Sequence, residues 1–142
     1  MEQRLTLVTL AVRDLARAVA FYERLGWRRA LKAAEGVAFF QCGGLGLSLY
    51  PVADQARDAN LPVEAMTPPA GVVLAYNVHR EEEVDAVMAE AEAAGAEILR
   101  PAGKAFWGGR YGFFRDPEGH CWEVAWNPGF PLDEAGKLTI PE

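Results

Sequence analysis

Cysteine and histidine are scarce in this chain, with two of each among 142 residues. Cys42 and Cys121 form no CxxC pair, which favours buried core thiols over a disulfide or a metal site. His79 and His120 offer little material for a triad, and no Ser–His–Asp or Cys–His signature can be assembled. Long apolar runs are also missing: no stretch approaches the ~20 residues that span a bilayer. The opening MEQRLTLVTLAVRDL carries charge too early and an acid too soon for a signal peptide. Runs of Lys or Arg are absent and the net charge is −6, which counts against nucleic acid and anionic membrane surfaces as partners. The segment Gly43-Gly44-Leu45-Gly46 lacks both the spacing and the following helix of a phosphate loop. These absences together point to a reducing, cytoplasmic compartment.

What is present is enough for a core. Half of the chain is apolar and a quarter charged, the balance of one globular domain spanning 1–142. Leu5 to Val12 alternates as a strand does, with Val8, Leu10 and Val12 on one face and Leu7, Thr9 and Ala11 on the other. Asp14 stands at an N-cap position, Leu15, Val19, Tyr22 and Leu25 follow at helical spacing, and Gly26 is the stop. Short strands are expected over 27–32, 36–41 and 46–50. The order then recurs: strand 71–78, helix 81–94 with Val84, Val87, Met88 and Ala91 as its stripe, and Gly95 as its stop. Strands follow over 97–101, 111–115 and 121–126, the last two joined by the turn Asp116-Pro117-Glu118-Gly119. This is an internal duplication. Module one covers 4–50 and module two 71–126. Between them lies a linker, 51–70, with one helical turn near Gln55 to Ala59, and 127–142 forms a tail. The fold class is α+β: two βαβββ modules, eight strands in a half-open barrel around a cavity, with a helix packed outside each half.

The segments LVTLAVRDLARAVAFYERLGW and YGFFRDPEGHCWEVAWNPGF resemble the vicinal oxygen chelate superfamily, of the glyoxalase, bleomycin resistance protein and dioxygenase type. The resemblance runs from Arg4 to about Phe130. It is specific for the fold and weak for the activity, because the fold hosts lyases, dioxygenases, epimerases and non-catalytic binders. It implies a homodimer, and it implies metal-ligand positions on the first, fourth, fifth and eighth strands. Here those positions carry Leu7, Ser48, Val73 and Glu123. Leu and Val cannot coordinate a cation, and a slip of the alignment to Thr9, Val72 or Leu74 brings no good ligand. No metal and no other cofactor is therefore expected.

Glu123 is in phase with Cys121 and Ala125, while Trp122, Val124 and Trp126 take the face assigned to the helix. A carboxylate on the cavity side is a candidate ligand contact or catalytic base, against the plainer reading of a structural ion-pair partner. In Phe106-Trp107-Gly108-Gly109-Arg110-Tyr111, Trp107 and Tyr111 are candidate pocket walls and Arg110 a candidate anion clamp, against ordinary packing around a bulge. Thr9, Ser48 and Asn77 share the presumed cavity phase and are candidates for orienting a ligand. His120, in a turn, and His79, at a helix start, are expected to be exposed. The leading functional expectation is a metal-independent binder of a small, partly apolar organic molecule. The alternative is a lyase or isomerase using Glu123 as general base or residual metal ligand, and a third reading is a protein-interaction module with a vestigial cavity.

Overall fold

Asp14 accepts a hydrogen bond from the Arg17 amide at 3.0 Å and so starts the first helix, α1 (Leu15–Arg24). Gly26, at a φ of 85°, turns the chain out of it. The computed structural model describes residues 5–68 and 71–140 and divides into two compact units, Met1–Gly71 and Val72–Glu142. Arg4, the expected start of module one, and Pro69, Ala70, Pro141 and Glu142 lie outside the described residues.

In the first unit β1 (Leu7–Val12), β2 (Arg29–Ala30), β3 (Ala38–Cys42) and β4 (Leu45–Pro51) form a sheet of order β1-β4-β3-β2. β1 runs parallel to β4, and the other pairs are antiparallel. The face towards α1 is apolar: Leu10, Val12, Phe40, Leu47 and Leu49 are buried, as are Ala18, Phe21 and Tyr22 of the helix. Tyr22, Trp27 and Phe40 form an aromatic cluster with centroids 5.2 to 5.9 Å apart. The buried stripe of α1 is thus Ala18, Phe21 and Tyr22. Leu15, Val19 and Leu25 of the expected stripe flank it at intermediate burial. The stretch expected as a linker carries α2 (Val52–Ala59), which contains the turn expected near Gln55 to Ala59, and a further short helix, α3 (Val63–Met66). Ala56 of α2 is buried, and Tyr50 at the end of β4 donates to Asp58 at 2.9 Å.

The second unit repeats the plan. β5 (Val73–Asn77), α4 (Glu83–Ala94), β6 (Glu97–Lys104), β7 (Arg110–Arg115) and β8 (Cys121–Trp126) give the sheet order β5-β8-β7-β6. β5 is parallel to β8. Val84, Met88, Ala91 and Ala94 of α4 are buried against the face carrying Gly112, Phe114, Trp122 and Val124. A Cβ at Gly112 would stand 3.0 Å from the Met88 side chain, so the absent side chain lets α4 sit close on β7. Phe114 and Trp122 stack at 6.1 Å with planes 7° apart. The tail makes one turn: the Asp133 side chain accepts from the Ala135 and Lys137 amides, and Leu132 bridges Leu138. Within each unit the α+β plan of one βαβββ module is present, with two four-stranded sheets among the described residues. Among the described residues no helix is long and apolar enough to cross a membrane.

Candidate functional site

The site is built on the face of the second sheet opposite α4. Paired residues of neighbouring strands share a face, so register decides what stands beside Glu123. Glu123 pairs with Ala75 of β5 on one side and Phe113 of β7 on the other, and Phe113 pairs in turn with Arg100 of β6. One row across the sheet therefore reads Ala75, Glu123, Phe113, Arg100. The row on one side reads Asn77, Ala125, Tyr111, and the row on the other reads Val73, Cys121, Arg115. Of the expected residues, Glu123, Asn77 and Tyr111 are thus brought onto one face. Phe113 and Arg100 belong with them and were not singled out from the sequence.

The face is aromatic along β7. Tyr111 meets Phe113 edge-on at 5.7 Å, and Trp107 leans on Tyr111 at 5.7 Å. The Arg100 guanidinium lies 4.3 Å from the centre of the Tyr111 ring, a cation–π contact. Glu123 is half-buried, and among the described residues it makes no ion pair or hydrogen bond. Arg115, one row away, reaches Glu97 at 3.4 Å. Burial pushes the Cys121 thiol up; Arg115 opposes this and the charge of Glu123 adds to it.

Trp107 sits in a tight turn, Ala105 to Gly109, in which the Ala105 amide donates to the Gly109 carbonyl at 2.8 Å. A side chain at Gly109 would collide with the Trp107 ring and the Trp126 carbonyl, so Gly109 is what lets Trp107 fold back. Phe106 beside it is fully exposed.

Arg110 is a correction. It shares a face with Gly112 and Phe114, on the α4 side of the sheet, and not with Glu123. Its guanidinium donates to both oxygens of Asp85 on α4, at 2.7 and 2.8 Å. A fork already committed to a carboxylate in this way serves as a helix-to-strand tie rather than an anion clamp. The bond from Arg110 holds the Asp85 carboxyl below its ordinary range, against the opposing pull of burial.

Thr9 and Ser48 lie in the first unit, on the face opposite α1, directly across the β1–β4 pair. Their hydroxyls bond at 2.7 Å, and Ser48 is buried, so these two polar groups satisfy each other. Leu7 pairs with Gly46 two residues before them, and Phe39 pairs with Ser48.

The four positions at which relatives would hold a metal do not fit one. Leu7 and Val73 have no donor atom, and both are exposed apolar side chains. Ser48 is taken up by Thr9. Glu123 alone offers a carboxylate, and among the described residues no three His, Cys, Asp or Glu side chains gather as a ligand set.

The histidines are structural. His120 is largely buried, and its Nδ1 stands 3.0 Å from Asp116, whose side chain also accepts the Glu118 and His120 amides. The expectation of an exposed turn residue fails here because the Asp-Pro-Glu-Gly turn folds around the Asp116 carboxylate. His79 is exposed, and its Nε2 bonds the Asp133 carbonyl at 2.9 Å, tying the tail turn to the end of β5. Both cysteines are free, and burial also pushes the Cys42 thiol up.

Comparison with known proteins places this geometry in context. The family profile of the Glyoxalase/Bleomycin resistance protein/Dioxygenase superfamily matches residues 4–124. The chain is similar to the metallothiol transferase FosB of Shouchella clausii, 31% identical over 121 residues, covering 82% of this chain and 75% of that protein. A solved glyoxalase-related enzyme from Fulvimarina pelagi superposes with a TM-score of 0.91 at 34% identity, covering 99% of this chain and 100% of the other. A lactoylglutathione lyase from Agrobacterium tumefaciens superposes with a TM-score of 0.68 at 26% identity, covering 88% and 94% of the two chains.

Proposed function

The chain belongs to the glyoxalase/bleomycin resistance protein/dioxygenase superfamily, and within it we propose that this protein is a metal-independent binder of a small, partly apolar organic molecule. The observation that carries the reading is Glu123: a half-buried carboxylate without an ion-pair partner among the described residues, set beside the Phe113 and Tyr111 rings. Desolvating a charge costs free energy, and a site that holds one unneutralised is built to use it. The apolar side chains of Leu7 and Val73, at positions where a metal would need donors, support the metal-free part. We infer that the working form is a cytoplasmic homodimer. Its cysteines are free thiols, and Tyr76, Phe130 and Ile140 leave apolar surface for a second copy to cover.

The test combines elemental analysis with a thermal-shift screen of a small-molecule library. The purified protein is expected to carry no stoichiometric metal, to keep its melting temperature in chelator, and to be stabilised by at least one organic compound. Glu123→Gln is expected to keep the fold and lose that stabilisation. One equivalent of metal per chain, or a library without a single stabilising compound, overturns the reading.

A second reading draws on the relatives named as enzymes, the Fulvimarina pelagi protein at 34% identity among them. In it the chain is a lyase or isomerase, and Glu123 takes a proton from the bound molecule as general base. Turnover of the stabilising compound, lost in Glu123→Gln while binding persists, would favour it over a pure binder.

A further inference from the structure

The row Ala75, Glu123, Phe113, Arg100 says more than that the face binds something. Strands are ~4.8 Å apart, so the Glu123 and Arg100 backbones stand on the order of 10 Å apart with the Phe113 ring between them. Two observations put Arg100 on this face. It pairs with Phe113, and its guanidinium lies over Tyr111, which is itself in contact with Phe113.

The other three arginines of this unit are each paired with a carboxylate. Arg110 is held by Asp85, Arg80 by Glu83, and Arg115 by Glu97. Glu123 and Arg100 are not: neither makes an ion pair among the described residues, and they do not reach each other. The face thus presents a carboxylate, an aromatic floor and a guanidinium in sequence. The guanidinium is already steered by the Tyr111 ring, which lowers the ordering cost of using it.

We propose that the molecule bound here is an amphoteric aromatic compound, with an ammonium group for Glu123, a ring for Phe113 and Tyr111, and a carboxylate for Arg100. This rests on the binder reading above and narrows it to a ligand class. A ligand with one charge covers one end of the row and strips water from the other end without replacing it, which penalises it relative to the doubly charged one.

The test uses para-(aminomethyl)benzoate and its biphenyl homologue as probes. Controls are the matched compounds lacking the amine (para-toluate) and those with the acid masked as a methyl ester. Ligand-observed NMR gives the dissociation constants. Each amphoteric probe is expected to bind about tenfold tighter than either of its singly charged controls, the size of one hydrogen-bonded charge contact. Glu123→Gln is expected to erase the advantage over the amine-free control alone. Arg100→Met is expected to erase the advantage over the ester alone. Unchanged denaturant midpoints in both variants show that the fold is intact; Glu123→Leu and Arg100→Gln replace any variant whose midpoint falls. Equal binding by all the probes and controls, or a ranking that neither variant alters, overturns the ligand class while leaving a binder. Absence of binding by every probe in the millimolar range also overturns the class, and the library screen then decides the binder reading separately.

Discussion

On the face of the first sheet opposite α1, Thr9 and Ser48 bond to each other, and Leu7 and Phe39 fill the positions around them. On the equivalent face of the second sheet, Glu123 and Arg100 stand on either side of Phe113 without an ion-pair partner among the described residues, and Arg100 rests on the Tyr111 ring. The helix-covered faces of the two sheets are alike at their centres, where each buries apolar side chains under a helix, with the Arg110–Asp85 pair at the margin of the second. The duplicated plan constrains the side that must exclude water and leaves the other side free to differ. The second copy carries charged groups on this face, while at the matching place the first carries two hydroxyls that satisfy each other.

The largest effect is expected where the two halves are alike. Tyr22→Ala in the first and Trp122→Ala in the second remove large buried rings, and each should cost about 3–5 kcal/mol in denaturant unfolding. A loss confined to one of them would show that only one helix-covered face carries the stability, and the equivalence would break.

A smaller effect should separate the opposite faces by sign. Ser48→Ala leaves the Thr9 hydroxyl without its partner and should destabilise by about 1 kcal/mol. Glu123→Leu removes an unneutralised carboxylate from a half-buried place and should be neutral or stabilise by up to about 1 kcal/mol. Marked destabilisation by Glu123→Leu would make Glu123 a structural residue and return the second face to the status of the first.

The smallest effect concerns Asp85 and Arg110. Asp85→Asn should cost about 0.5–1 kcal/mol at neutral pH, as the pair is partly exposed. Hydrogen bonding from Arg110 lowers the Asp85 carboxyl below its ordinary value of 3.8. A carboxyl lowered on folding adds stability above its unfolded value and loses that addition as the pH falls through the folded one. The difference between Asp85→Asn and the parent should therefore hold above about pH 4 and shrink below it, read from melting temperature against pH. A difference that persists undiminished into strong acid would mean that the pair acts by shape alone.

Much of this was legible in the residues. Alternation located β1 and β8, Asp14 and Gly26 bounded α1, and the recurrence of the order exposed the duplication. The phase of Glu123 against Trp122 and Val124 followed from the period of two alone. What was illegible depended on register. Phe113 joins the site through the regular β7–β8 pairing with Glu123, but Arg100 joins it through a β6–β7 pairing with irregularities between Ile98 and Arg100 and between Arg100 and Gly103, and no local pattern announces these. Arg110 was misassigned because its partner lies 25 residues away on a helix. Of α2 only the turn near Gln55 to Ala59 was expected, and its first residues and the whole of α3 were hidden by a Pro- and Asp-rich composition that reads as loop.

The order of strands within each sheet sets a schedule for synthesis. β4 and β8 are the last strands of their units to be made, and each lies inside its sheet, between the first strand and the third. Until β8 leaves the ribosome β5 has no neighbour in its sheet, and β6 with β7 is only a hairpin. The first unit faces the same wait on a shorter span, with Thr9 and Ser48 39 residues apart. Such non-local closure is slow compared with helix or hairpin formation. The strand that completes the second sheet is also the one that brings Glu123, so the carboxylate comes to stand beside Phe113 only as the sheet is completed.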